Sequence, residues 1–436
     1  MKIGLNSHTQ KISWNFELLF TLVEKYDGAC LFTSAGDGSY GKNILGINPV
    51  LTFSDMLSLD IFLKENISDS EFPLVIGHIA YDHKDRLEEK GLFGNKHEEL
   101  MPEVEFRVFE YYIIADNSDH SVLKTVKLDI PFKYKAVDPD KIFNHSPEKL
   151  KGGSSKYHGS SLTRFEFEEN VEKIRDYILS GDIYQANLTR KISAETTFSP
   201  FELALRLKDS NSIEFGVYAK YGENFVISTS PERFFKIENS ILTSSPIKGT
   251  APRSDDAETD LYNLETLLSS KKELAELAMI VDLIRNDMNK ICTEVKVEDF
   301  PIVMKLKNVY HLYSEISGRL RTASFFEIIR ALFPGGSISG CPKIRACQII
   351  EELEKTGRGL YTGNFGYISF NGNMDFNIMI RTLFYNKGSI SFNAGGGITL
   401  LSDPESEFIE TVHKAKNICS AIDLEEVWEE KSFLTE

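Results

Sequence analysis

Two pairs of glutamates recur at one spacing in distant parts of the chain. In SSKKELAELAMIVDLIRND, Glu273 and Glu276 stand three residues apart on an expected helix and so share a face. In LLSDPESEFIETVHKAK, Glu407 and Glu410 repeat that spacing on a helix that Asp403 can cap and Pro404 can begin. If the two faces met, each pair of carboxylates would repel by about 4 kcal/mol at about 4 Å and an effective dielectric of about 20. A bound cation would offset that repulsion, and an all-oxygen donor set suits Mg²⁺. The alternative is two solvated, glutamate-rich helix faces.

Lys248 lies between a proline and a glycine in TSSPIKGTAPR, a segment of small residues that lets backbone approach something closely. It is either a loop lysine in solvent or an amine nucleophile. In the second role it has to be held as a free amine, which desolvation or a neighbouring cation can do. Glu232, in SPERF, is either a general acid in a buried pocket or half of a surface ion pair with Arg233. His311, in VYHLYSEISG, is equally readable as a core histidine. The glycines of FPGGSISGCPKIRACQIIEEL precede a helix expected near Pro342, and AGGGITL follows at 394–400. Both segments read as sharp turns or as places where backbone N–H groups meet an anion. Arg381, near these loops, suits a bidentate carboxylate contact.

Local patterns supply the elements that would position these residues. NFELLFTLVEK (15–25) has helical periodicity, and FPLVIGHIAYD and EFRVFEYYIIAD read as strands. The polar stretch 147–161, rich in Gly and Ser, reads as a loop. FEENVEKIRDYILSG predicts a helix ending at Gly181, followed by a strand through IYQANLTRKI. ENFVISTSPERFFKIENSILTSSPIKG predicts strands turning at Ser230-Pro231 and Asn239-Ser240. Helix is expected over about 259–290, then strands in FGYISFNG, FNIMIRTLFYN and SISFNAGGGITLL, and a last helix from Pro404. This is an α+β pattern with much strand and no repeat.

Composition narrows the classes. The chain has 436 residues, 42% apolar and 26% charged, and a formal net charge of -16, which argues against non-specific nucleic-acid binding. No run of about 18 apolar residues suggests a membrane span, and MKIGLNSHTQKISW lacks a signal-peptide core. Five scattered cysteines read as reduced thiols, so a cytoplasmic protein is expected. The glycine-rich segment lacks the GK[ST] ending of a nucleotide P-loop.

SPERF, SPIKGT, ELAExxMxxDLxRND, HLYSEISG, PGGSISGCPKxRA, GYISFNGNMDFNIMIRT and AGGGITLLSDPESEFIET occur in this order over about 165–425. Together they resemble the chorismate-utilising enzymes, among them the anthranilate, aminodeoxychorismate, isochorismate and salicylate synthases. GHIAYDHKDRLE (77–88) is similar to a segment of the amidotransfer-linked members. The resemblance implies an α/β layered unit with a β-sandwich core of antiparallel-rich sheets and helices outside. It divides the chain into an N-terminal part (1–145), a connecting loop (146–162), a chorismate-binding catalytic region (163–425) and a tail (426–436).

It also implies roles. Glu276 and Glu410 would hold Mg²⁺, supported by Glu273 and Glu407. Gln185, Thr250, Ser337, Tyr361, Arg381, Gly396 and Gly397 would line the chorismate site, with His311 in the active site and Glu232 as the acid or base. PIKGT resembles aminodeoxychorismate synthases, in which the lysine at the place of Lys248 attacks C2 of chorismate, whereas anthranilate-forming members read PIAGT. Gln185 stands where water-using members have a lysine, so ammonia is the expected nucleophile. GTAPRS departs from the usual GTRPRG, with Ala251 and Ser254 in place of arginine and glycine. No segment resembles a glutaminase or a lyase, so the resemblance implies a separate amidotransferase partner supplying ammonia and a separate lyase downstream. The alternative expectation is an anthranilate synthase component, which releases pyruvate. A non-catalytic binding protein would have lost the acid, the glutamates or the lysine, and all are present.

Overall fold

Alternate residues along single strands face two different cores. Cys30 and Phe32 join one apolar cluster and Leu31 another. Ile44 divides from Leu45 in the same way, Val217 and Ala219 from Tyr218, and Val226 from Phe225 and Ile227. This is the period of two that a sheet covered on both faces requires. The computed structural model describes residues 4–34, 42–72, 74–88, 93, 100–129, 133–144, 149–210, 214–305 and 309–424. The tail 426–436 and residues 146–148 of the expected connecting loop lie outside the described residues.

The fold is mixed α/β, with a large antiparallel sheet core and helices at its periphery. The 20 strands of the described residues form one hydrogen-bonded system. Its two layers share the strand Val104–Asp116. The first layer runs from that strand through Lys42–Phe53, Cys30–Ser34, Phe215–Tyr221, Asn224–Ser230, Thr382–Asn386, Ser389–Ile398 and Gln185–Thr196. The second runs through Leu74–Ile79, Asn364–Ser369, Met374–Asn377, Arg233–Glu238 and Ile241–Ser244 to Val309–Leu320. Ile247–Pro252 and Cys292–Lys305 also pair with this last strand. Phe106, Phe235, Phe325 and Phe376 pack in the cluster between the layers. Helices Phe16–Lys25, Pro200–Ser210 and Pro404–Ala421 cover the outer face of the first layer.

Helix ends follow local chemistry. Asn15 accepts from the Leu18 amide at 2.9 Å, Thr163 and Glu166 form a reciprocal capping box, and Asp403 caps the helix that Pro404 begins. Asn239 and Ser240, at φ 51° and 64°, make the two-residue turn that joins Arg233–Glu238 to Ile241–Ser244.

Three expectations need correction. Ser155–Ser160, read as loop, is an edge strand paired with Gln185–Thr196, which rescues backbone groups that composition alone leaves in solvent. The helix expected over 259–290 is two, Ala257–Ser269 and Lys271–Asn289, broken at Ser270, whose side chain caps the second. FNIMIRTLFYN is two strands, with the chain changing layers between Asn377 and Thr382. No helix of the described residues is long and apolar enough to cross a membrane.

His78 carries a consequence for acid stability. It is fully buried, with Nδ1 2.7 Å from Tyr221 Oη and Nε2 2.8 Å from the Pro102 carbonyl. Burial pushes its pKa down to about 4. The unfolded chain takes up a proton near pH 6.5 that the folded protein refuses, so stability present above that pH is lost as pH falls toward 4. The loss should approach about 3 kcal/mol. Urea unfolding at pH 7.5 and 4.5 should show it, with a shallower pH slope in His78→Gln. An equal slope in the variant would refute the assignment.

Candidate active site

The site forms where the chain crosses between layers. Asn224–Ser230 lies in the first layer and Arg233–Glu238 in the second, and Glu232 sits at that crossing. The return crossing, from Met374–Asn377 to Thr382–Asn386, carries Arg381. The crossings are stitched together by backbone: Ile378 N donates to Glu232 O at 3.0 Å and Thr229 N to Arg381 O at 3.1 Å. Arg381 adopts φ +50°, an uncommon conformation for a side-chain-bearing residue and a local strain at the site.

Glu232 is buried and lines one cavity with Ser337, in the turn Gly336–Ile338. Burial raises its pKa, opposed by Ser337 and by the charges of Lys248, Lys414 and Arg381. Arg233 does not pair with it: its guanidinium bonds both oxygens of Asp375, at 2.9 and 3.2 Å. A carboxyl whose pKa is raised in this way keeps its proton to higher pH, which suits it to act as an acid.

The second layer brings Lys248 across to the glycines of the first. A Cβ on Gly397 would lie 3.4 Å from Lys248 Nζ and 2.2 Å from Gln185 Nε2. Lys248 donates no hydrogen bond among the described residues, and Gln185, 2% exposed, has an Oε1 without a protein partner there. An orphaned buried acceptor beside a half-buried amine marks a place for a polar ligand. Gly397→Ala should therefore displace Gln185 and lower kcat on the order of 10²-fold, with little change in melting temperature. Steady-state kinetics would check this, and unchanged kcat would show that the amide's position does not matter.

His311 Nδ1 lies 2.8 Å from Thr250 Oγ1. Burial, with Arg381 assisting, holds its pKa below the usual value, so the ring is neutral. Thr250 itself is exposed. Tyr361 is 4% exposed and packs in the apolar cluster between the layers, with burial raising its phenol. The departures at 251 and 254 leave the strand ordered. Ala251 is buried, while Asp260 accepts from Arg253 Nε at 2.8 Å, Ser254 N at 3.0 Å and Tyr310 Oη at 2.7 Å.

The two glutamate pairs converge from Lys271–Asn289 and Pro404–Ala421. A Cβ on Gly396 would be 3.4 Å from both Glu407 Oε2 and Glu410 Oε1, and one on Gly249 would be 3.2 Å from Glu273 Oε2. Burial raises the pKa of Glu276, and the charges of Glu273 and Glu407 add to it. Burial likewise raises Glu407, with Glu410 adding. Glu410 is held low despite burial, chiefly by Lys414 at 2.6 Å, with Lys272 and Lys248 assisting. Among the described residues no three His, Cys, Asp or Glu close into a metal-holding group. The donor chemistry nonetheless fits Mg²⁺: oxygen donors only, mutually repelling, partly buried.

Lys272 and Lys414, absent from the expected set, occupy the cation's electrostatic role. Lys414 also donates to Gly395 O at 2.9 Å, and Lys272 lies 3.8 Å from Glu407. The i,i+4 spacing of Glu410 and Lys414 was the available signal. The glycine-rich segment leads into the helix expected near Pro342, whose start has no side-chain cap. Its 336–341 stretch is a turn and a two-residue strand ahead of helix Lys343–Leu353.

A sequence profile described as chorismate binding enzyme matches residues 49–420. The chain belongs to that family. Among its relatives, aminodeoxychorismate synthase component 1 of Escherichia coli (strain K12) is 35% identical over 327 residues, covering 74% of this chain and 71% of that protein. Anthranilate synthase component 1 of Aquifex aeolicus (strain VF5) is 40% identical over 275 residues, covering 62% and 56%. The structure of anthranilate synthase component I from Streptococcus pneumoniae TIGR4 superposes with a TM-score of 0.72 at 29% identity, over 88% of this chain and 93% of that one. The matched region of this chorismate-binding enzyme contains each site residue placed above.

Proposed function

We propose that this chorismate-binding enzyme aminates chorismate at C4 to 4-amino-4-deoxychorismate and retains the pyruvyl group. The observation that carries the reading is Lys248. A Cβ on Gly397 would meet both its amine and the amide of Gln185, and its charge reaches Glu232 and Glu276. Once it has given up its proton, the amine attacks C2. The C4 hydroxyl takes a proton from Glu232 and leaves as water as the ring π-electrons shift. Ammonia, oriented by Gln185 Oε1, then adds at C4 and expels the lysine. Arg381 and Tyr361 bind substrate carboxylate, and neutral His311 with Thr250 and Ser337 completes the wall.

Glu276 and Glu410 would hold Mg²⁺, with Glu273 and Glu407 in support. Its chemistry there is to neutralise and orient a substrate carboxylate. Ammonia would come from a glutamine-hydrolysing partner subunit, and the product would pass to a lyase. A soluble, cytoplasmic setting fits that arrangement.

A second reading is anthranilate formation with release of pyruvate. The comparisons favour it: two anthranilate synthase components are 39% and 40% identical, against 34% and 35% for two aminodeoxychorismate synthase components. The anthranilate matches cover 55–56% of those proteins, the others 70–71%. Chorismate, Mg²⁺ and excess ammonium incubated with the purified chain would be resolved by mass-detected chromatography beside a pyruvate assay. Aminodeoxychorismate without stoichiometric pyruvate supports the first reading, and anthranilate with pyruvate the second.

A further inference from the structure

The Arg358 side chain hydrogen-bonds none of the expected ligand-binding side chains, yet it lies where the segments that carry them meet. It is 4% exposed, and all five of its N–H groups are directed at acceptors. Nε and one Nη2 hydrogen bond Glu354, at 2.9 and 2.7 Å. The other Nη2 donates to Asn187 O at 2.6 Å, two residues beyond Gln185. Nη1 donates to Ile338 O at 2.8 Å, next to Ser337, and reaches Thr362 Oγ1, next to Tyr361, at 3.4 Å. Glu354 in turn accepts from Thr189 N and Oγ1, at 2.8 and 2.9 Å. Asp82, from GHIAYDHKDRLE, accepts from the backbone of Arg358 and Gly359, at 3.2 and 2.8 Å.

We infer that Arg358, oriented by Glu354 and Asp82, is a positioning residue that holds Ser337 against Glu232 and fixes Gln185 and Tyr361 at the same time. The fork geometry is the reason for arginine: a lysine has one nitrogen and three donors, and cannot span these carbonyls together. The inference rests on the reading of Glu232 as the acid. Ser337, Lys248, Lys414 and Arg381 act on Glu232, and Arg233 and Asp287 line the same cavity; of these only Ser337 adjoins an acceptor of the Arg358 fork. Moving the Ser337 hydroxyl away removes a stabiliser of the carboxylate, so the proton is kept to higher pH.

The test measures chorismate consumption, whatever the product, as a function of pH. In Arg358→Lys, kcat should fall at least tenfold with KM changed less than threefold, and the alkaline limb should move to higher pH. Ser337→Ala should reproduce the movement, and the double variant should add nothing. If Arg358→Lys does not fold, Glu354→Gln carries the same expectation, because it breaks the paired contact that aims the fork. A limb unmoved in the folded variant overturns the inference even if activity falls. A wild-type limb that persists in Glu232→Gln instead removes Glu232 as the acid, and overturns both readings.

Discussion

Lys248→Ala should abolish aminodeoxychorismate formation, by on the order of 10³-fold or more, because removing a covalent nucleophile removes the pathway and not only an affinity. Folding should survive. The side chain is half-buried at a strand that keeps its pairing with Val309–Leu320, and its amine donates no hydrogen bond among the described residues. Chorismate should still bind, since the residues proposed to hold its carboxylates lie on other elements. The amine also lowers the pKa of Glu276 and helps hold Glu410 low. Its loss leaves the four-glutamate cluster more negative, so Mg²⁺ should bind at least as tightly, as isothermal titration of the metal alone would show. Trapping offers a second readout: mass spectrometry of the acid-quenched wild-type protein should find a substrate-derived mass on the peptide containing Lys248. If Lys248→Ala turns over chorismate within tenfold of wild type and releases pyruvate, the lysine is a bystander and the anthranilate reading stands.

Much of this site was legible in order and not in space. The cap at Asp403 and the turn at Asn239-Ser240 depend on neighbours within three residues, and the sequence displays them directly. The strand Ser389–Ile398 was legible from its alternation. The approach of Lys271–Asn289 to Pro404–Ala421 is set by the two layers between them, which no local pattern encodes. The crossing at Arg381 was hidden because strand-forming residues lie on both sides of it; the change of pairing partners and the positive φ show that one strand has become two. Ser155–Ser160 looked like loop because an edge strand exposed on one side tolerates Ser, Lys and His. Arg358 was invisible for a different reason. Two of its acceptors, Ile338 O and Asn187 O, are backbone carbonyls, whose identity is the same at every position in a sequence.

Glu232→Gln should cost on the order of 10²- to 10⁴-fold in kcat with a much smaller change in KM. The amide keeps the size of the side chain and can still hydrogen-bond Ser337, but it has no acidic proton to give. The pH profile sharpens the expectation. Burial raises the carboxyl's pKa, with Ser337, Lys248, Lys414 and Arg381 opposing. Wild-type activity should therefore fall as pH rises through that value, and the residual activity of the variant should lack this limb. Stability should move the other way. A carboxyl whose folded pKa is raised contributes stability below its unfolded value, and that contribution is lost as pH rises through the folded one. Above the folded value the wild type bears the cost of an anion in a buried pocket, and glutamine removes it. The variant should accordingly melt higher than wild type at pH 8 and show little difference at pH 4. A variant that loses activity and stability together at pH 8 would mean that Glu232 holds the two crossings together, and the proton would have to come from elsewhere.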